Sequence, residues 1–311
     1  MLVPKDLIPS MQPWKKAHIM GSEAEFNYPP LKSALSATSS AAKKKYMCAV
    51  AATYVLLFLA AITPPLLQTV SQLQSKYVAL AAVLLLTVAS ILQITGIANK
   101  QERNWCMARE ALEKVKSASW AFAVGGDPFS LNSENVRESY IKYLESVLED
   151  IESIECGVDQ EGLETIPPTM LQLRMSSRKN RLNTYISLRV GDQIKWYCKE
   201  SKIKKKRYRC FNIFVGVLGV GAIILGLLWV SGVTNFDFMG PFAVGTSGLV
   251  GWVQLNKYDD FSKLYAHTSH RLRLAAGECA KINSEIEWRK FVGNIESILD
   301  QEHSIWQHNI S

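Results

Sequence analysis

The sequence predicts an all-α membrane protein: two transmembrane helical hairpins, four spans in all, extended by long cytoplasmic helices that form a coiled helical bundle. Three observations predict it. Four runs free of Asp, Glu, Lys, Arg and His occur in two close pairs, 47–67 with 77–98 and 211–233 with 238–255. Each is about 18 to 23 residues, the length that crosses a hydrocarbon core of roughly 30 Å at a 1.5 Å rise per residue. Cations gather on one side of every pair, and the remaining segments carry apolar residues at alternating three- and four-residue steps.

Residues 1–27 form an N-terminal segment. Lys5, Lys15, Lys16, Glu23 and Glu25 interrupt it, so it offers no apolar stretch to a cleaved signal peptide, and the first span is expected to act as the uncleaved insertion signal. Lys43, Lys44 and Lys45 precede that span, Lys100 and Arg103 follow the second, and Lys202, Lys204, Lys205, Lys206, Arg207 and Arg209 precede the third, with Lys257 after the fourth. The outer loops carry only Lys76 and Asp237. By the positive-inside rule both termini and the middle segment face the cytoplasm, which predicts a multi-pass protein of the cell inner (plasma) membrane.

The chain's net charge of +7 thus has a topological origin. Its densest part abuts a span, where each Lys or Arg attracts anionic lipid by about 1 kcal/mol. The lipid bilayer is the expected partner of these cations and nucleic acid is not, although an anionic nucleotide at the same run is a minor alternative. The mean hydropathy of +0.03 averages four oily stretches with a charged remainder. Six cysteines without a C-x-x-C pair fit a reduced cytoplasmic environment better than a disulfide framework.

The chain reads as one unit built twice. K-K-K-Y-M-C at Lys43 to Cys48 matches K-K-K-R-Y-R-C at Lys204 to Cys210, and Asn99-Lys100 with Glu102 and Trp105 echoes Asn256-Lys257 with Asp259, Asp260 and Phe261. The turn-rich Cys156 to Pro168 is the expected linker, dividing the chain into units 28–160 and 161–311. An even number of spans separates the copies, so they share one orientation, which disfavours an inverted-repeat transporter.

The cytoplasmic portions read as helix. A-V-G-G-D-P-F-S at Ala123 to Ser130 breaks the helix that leaves the second span from another at about 133–154, with Val136, Tyr140, Tyr143, Leu144, Val147 and Ile151 on one face. Thr169, with Gln172 three residues on, has the form of a capping box and starts a helix of roughly 60 residues through the third span, with a seam at Leu182, Tyr185, Ile186, Arg189, Val190, Gln193 and Trp196. Phe261, Leu264, Thr268, Leu272, Ala275, Cys279, Ile282 and Ile286 continue the fourth span inward.

No catalytic constellation emerges, and neither an enzyme nor a cofactor nor a metal is expected. His267 and His270 lie three apart but lack a third ligand, which reads as surface histidine rather than zinc. G-V-L-G-V-G at Gly216 to Gly221 lies inside a span with no preceding strand and no following Lys, so it is no phosphate loop. Instead Gly216 and Gly219, with Ala243, Ser247 and Gly251 four apart, predict close helix approach within a chain or between chains. Thr87, Ser90 and Gln93 form a polar arc on the second span. Such an arc lines a water path once several chains assemble, or bonds back to its own helix. Pro64-Pro65 are expected to kink or end the first span.

The chain resembles the SLATT family, the SMODS- and SLOG-associating two-transmembrane effector domains. Y-P-P-L-K-S-A at Tyr28 to Ala34 and W-A-F-A-V-G-G-D-P-F at Trp120 to Phe129 are similar to the type-3 form. R-L-N-T-Y-I-S-L-R-V-G-D-Q-I-K-W-Y at Arg181 to Tyr197 and F-V-G-N-I-E-S-I-L-D-Q-E-H-S-I-W at Phe291 to Trp306 are similar to the type-1 form. The resemblance implies a bacterial anti-phage or conflict-system effector of the inner membrane, acting by regulated pore formation or membrane disruption. Its signal would come from a separate sensor protein or a nucleotide. Four spans enclose no wide pore, so a homo-oligomer is expected. The alternatives are a membrane-anchored helical scaffold for cytoplasmic partners and a constitutive ion channel, the latter weakened by the absence of ionisable residues from the spans.

Overall fold

A computed structural model describes residues 26–67, 70–154, 165–234 and 238–310. Among them every regular element is helical. α1, Pro30–Leu67, runs unbroken from a charged first half, where Leu35, Ser39, Ala42 and Tyr46 are buried along one stripe, into the apolar run. Pro64 and Pro65 stay within it, and it ends at Leu67, just past them. α2, Gln72–Ile94, returns alongside α1. It stops short of the expected 98, because Thr95 caps it and Gly96 takes a left-handed φ of 62° that starts α3, Ile97–Val124.

The core of the helical domain forms around the end of α3, where every residue from Ala118 to Val124 is buried. Gly125 turns the chain there with φ 73°. α4, Val136–Glu149, then lays the expected face on α3: Tyr140, Leu144 and Val147 are buried, Ile151 follows them inward, and the Tyr140 ring lies 4.6 Å from that of Phe122. The linker expected at Cys156 to Pro168 lies mostly outside the described residues.

The long helix begins differently from the sequence expectation. Thr169 does not cap it. Pro167 occupies the N-cap of a short α5, Pro168–Met175, and the Thr169 hydroxyl accepts from the Asn27 amide at 3.3 Å. The working cap is Ser177, whose side chain accepts from Asn180 N–H and opens α6, Arg178–Thr184. A π-helical turn, Tyr185–Val190, leads into α7, Gly191–Val230, so 178–230 is one continuous helix. The π turn inserts a residue, and the seam slips by one: Tyr197 is buried where Trp196 was expected, and Trp196 is 41% exposed.

α8, Met239–Asn256, is followed by Lys257 in a left-handed conformation (φ 40°), so α9, Tyr258–Gly277, changes direction instead of extending it. Phe261, Thr268, Leu272 and Ala275 are buried as expected, but a 3₁₀ turn at Glu278–Lys281 ends the seam and leaves Ile286 exposed. α10, Glu285–Ile310, folds back on α9 and α3. Three helical stretches, Pro30–Leu67, Gln74–Val124 and Arg178–Val230, are long and apolar enough to cross a membrane. α8 is not among them, because Gly240, Gly245, Gly248, Gly251, Thr246, Ser247, Gln254 and Asn256 dilute its apolar residues. It packs between α7 and α1.

The turn after α3 depends on glycine. A Cβ on Gly126 would lie 2.7 Å from Cγ1 of Val292, a buried β-branched side chain with no room to move. Gly126→Leu should therefore cost about 1–3 kcal/mol by overpacking. An unchanged melting temperature of the variant in detergent would show that α10 does not sit against this turn.

Candidate functional site

The two halves meet at the end of α3, whose last carbonyls have no partner within the helix. Later parts of the chain supply them. Arg174 donates through Nη1 to the carbonyls of Phe122 and Phe129 and through Nη2 to that of Ser130. Trp288 Nε1 donates to Val124 O at 2.8 Å and Arg181 Nη1 to the same oxygen at 3.3 Å. Two guanidiniums at a helix C-terminus also oppose its negative dipole end. Arg181 is itself buried and paired with Glu285 at the start of α10.

Glu296, in the middle of α10, joins three elements. It accepts from Ser117 of α3 at 2.9 Å, from the Tyr185 hydroxyl at 2.7 Å, and from Arg189 at 3.2 and 2.7 Å. The Arg189 side chain is 3% exposed and that of Glu296 11%, so this ion pair works at low effective dielectric with most of its hydrogen bonds made.

Beside this joint lies a polar cavity of about 880 Å³. α1 contributes Ser36, Ser39, Ser40 and Lys43; α3 contributes Trp105, Arg109, Glu113 and Lys116; the π turn contributes Arg189 and α7 Asp192, Gln193, Trp196 and Tyr197; α10 contributes residues from Glu296 to Gln307. Lys116 pairs with Glu113 at 2.8 Å. Arg109 lies 3.9 Å above the Trp306 ring, and Lys43 5.2 Å from the centre of the Trp105 ring.

Several buried groups on its wall are short of partners. The Tyr197 hydroxyl donates to one oxygen of Glu302 at 2.7 Å, but Glu302 Oε1, both ring nitrogens of His303 and Arg189 Nη1 have no hydrogen-bond partner. Glu302 and His303 are 5% and 6% exposed. Unpaired buried polar groups cost stability, so a cluster facing one cavity marks a place suited to a polar guest. Burial pushes the Glu302 carboxyl above its ordinary pKa, with Tyr197 and Arg109 opposing, and holds the His303 imidazole below its own, helped by the Arg109 charge.

Of the sequence-predicted site residues, Lys43 lines this cavity and the others lie elsewhere. Thr87, Ser90 and Gln93 share the exposed side of α2, with Ala89 buried opposite them, and the Thr87 hydroxyl donates to Val83 O at 2.8 Å. Ala243 and Ser247 are exposed, and a Cβ on Gly216 or Gly219 would meet nothing within 4 Å. Close approach within the chain falls on the neighbouring register: a Cβ would lie 2.7 Å from the Tyr54 hydroxyl at Gly251, 3.0 Å from Phe58 at Gly245, and 3.7 Å from Tyr54 at Gly248. Lys44, Lys45, Lys205 and Lys206 are exposed, while Lys204 lies over the rings of Tyr258 and Phe261. His267 and His270 are exposed, and no group of three metal-ligating side chains occurs among the described residues. Sequence reasoning missed the seam cavity. Its signal was Glu302 and His303 standing at buried positions of the stripe Trp288, Phe291, Ile295, Ile298 and Trp306.

Residues 29–182 match the family described as SMODS and SLOG-associating 2TM effector domain 3, and residues 185–306 match SMODS and SLOG-associating 2TM effector domain 1. No curated protein matches the chain. No solved structure matches it.

Removing one member of the buried pair strands the other. Arg189→Leu should cost about 3–5 kcal/mol, and Arg189→Leu with Glu296→Leu clearly less. Melting in detergent measures both, and strictly additive losses would refute the shared joint. His303 adds a pH dependence. The unfolded chain binds a proton near the ordinary value of 6.5 that the folded imidazole resists, so His303 removes stability as pH falls below that value. His303→Gln should flatten the melting temperature's decline from about pH 6.5 to 5. A decline as steep as the parent's would place the imidazole in water.

Proposed function

Because the chain belongs to the SLATT family of two-transmembrane effector domains, as a type-3 domain followed by a type-1 domain, we propose that it is a non-enzymatic, anti-phage effector of the bacterial inner membrane. SLATT domains are effectors associated with defence and conflict systems. In this reading the chain crosses the bilayer four times, with α8 as the fourth span held between α7 and α1, and both termini lie in the cytoplasm. It acts by opening a path through the membrane as a homo-oligomer.

The observation that carries the reading is the seam cavity. Its walls come from α1 and α3 of the first half and from α7 and α10 of the second, and α1, α3 and α7 run into or directly follow the apolar segments. A signal that enters there, a nucleotide or a segment of a separate sensor protein, would satisfy Glu302, His303 and Arg189 and change how the halves meet. The helices carry that change to the hairpins without an intervening hinge in α1 or α7. The outward arc of Thr87, Ser90 and Gln93 supports assembly, since polar side chains facing lipid gain partners when several chains bring their arcs together.

Induced expression together with the cognate genetic neighbourhood and phage should collapse a membrane-potential dye signal and admit propidium. No change in either signal would exclude permeabilisation. Gln93→Leu and Ser90→Leu should each abolish propidium entry while leaving the amount of membrane-inserted protein unchanged; full uptake in both variants would remove α2 from the path.

A further inference from the structure

A second cavity, of about 640 Å³, lies at membrane depth between the two hairpins. Its walls are almost wholly apolar: Tyr54, Phe58 and Ile62 of α1, Phe211 and Phe214 of α7, and Trp252 of α8 are representative. It exists because α8 seats its glycines on Tyr54 and Phe58 while α7 stands off from α1 on the other side of α8. Ala51 to Ile62 measures about 16 Å along the helix, about half of a hydrocarbon core of roughly 30 Å. The groove therefore has the depth of one leaflet.

The helix turns that lead to it carry cations. On α7, Lys204 and Arg207 continue the stripe of Phe211, Phe214 and Leu218 at steps of three and four, and on α1 Lys43 stands two turns before Ala51. Lys43, Lys204, Arg207 and Arg109 act on one another as like charges, opposed by Glu200. Among the described residues Lys43, Lys204 and Arg207 have no carboxylate within 4 Å; Lys43 and Lys204 lie over aromatic rings instead. Phe211 stacks on Tyr258 at 5.7 Å, and the same Tyr258 ring carries Lys204, so the apolar wall and the cations are joined through one side chain.

We propose that this groove is a binding site for one anionic phospholipid of the cation-bearing leaflet, with an acyl chain along Tyr54, Phe58 and Phe214 and the headgroup phosphate on Lys43, Lys204 and Arg207. The occupant fills a gap that the two hairpins leave between them, and it ties the spacing of α1 and α7 to the lipid composition of the membrane. Unpaired juxtamembrane cations above an apolar slot of leaflet depth suit that chemistry and no soluble anion.

Native mass spectrometry of the full chain released from nanodiscs tests this. Protein from phosphatidylglycerol discs should retain lipid about tenfold more than protein from phosphatidylcholine discs. Both Lys43→Gln/Lys204→Gln/Arg207→Gln and Val55→Trp, which fills the groove from a position 55% exposed, should lose that retention while keeping their helix content. Equal retention of the two lipids would overturn the headgroup assignment, and undiminished retention by Val55→Trp would overturn the groove. Delipidated protein should gain thermal stability from phosphatidylglycerol and none from inorganic phosphate; an equal gain from phosphate would make it an anion site. Efficient cross-linking between copies through Val55→Cys would give the groove to a second chain and refute the lipid.

Discussion

Glu296 carries the joint on which the rest of the fold depends. A carboxylate with 11% of its side chain exposed is tolerable only if its oxygens are occupied, and three side chains occupy them: Ser117 of α3, and Tyr185 and Arg189 of the π turn. Those bonds fix the rotation of α10 about its axis. With α10 so placed, Trp288 reaches the last carbonyl of α3, Val292 closes on Gly126, and Trp306 meets Trp105 edge-on at 5.3 Å near the membrane end. One half of the chain thus caps and covers the other, and neither is complete by itself.

The π turn belongs to the same constraint. Tyr185 and Arg189 are four apart, and both must reach one carboxylate. Widening the helix over Tyr185–Val190 leaves the carbonyl of Ile186 to accept from the Gly191 amide, where a Cβ would stand 3.1 Å from that oxygen. The conformation persists because ion pair, tyrosine hydroxyl and glycine agree, which is how a locally unfavourable helix turn is held.

This explains which parts were legible in the sequence. The three long apolar helices, the face of α4, the break at Gly125 and the buried part of α9 follow from periodicity and from residues that act within a turn or two. The slip from Trp196 to Tyr197 does not, because the extra residue of the π turn is set by a partner 107 positions away. Thr169 shows the same limit: its capping pattern is sound, but Pro167–Pro168 and the Asn27 amide decide the local geometry. On α8 the spacing of Ala243, Ser247 and Gly251 was as good a small-residue stripe as Gly245, Gly248 and Gly251. Only the position of Tyr54 and Phe58 separates the two. The seam cavity was least legible of all, since its wall is assembled from four helices and its chemistry lies in what Glu302 and His303 fail to reach.

The two cavities then divide the labour of the molecule. α1 lines both: Ser36, Ser39 and Lys43 face the polar seam, while Tyr54, Phe58 and Ile62 face the apolar groove. The helix formed by the π turn and α7 does the same, with Arg189, Gln193 and Tyr197 on the seam and then Phe211, Phe214 and Leu218 on the groove. Each is a continuous helix between its two walls, so neither can tilt at the seam without tilting at the groove. α8 seats its glycines on Tyr54 and Phe58 of α1 and packs against α7 on its other side, so the spacing of α1 and α7 is set through α8. A guest in the seam and a lipid in the groove would therefore act on the same distance from opposite ends.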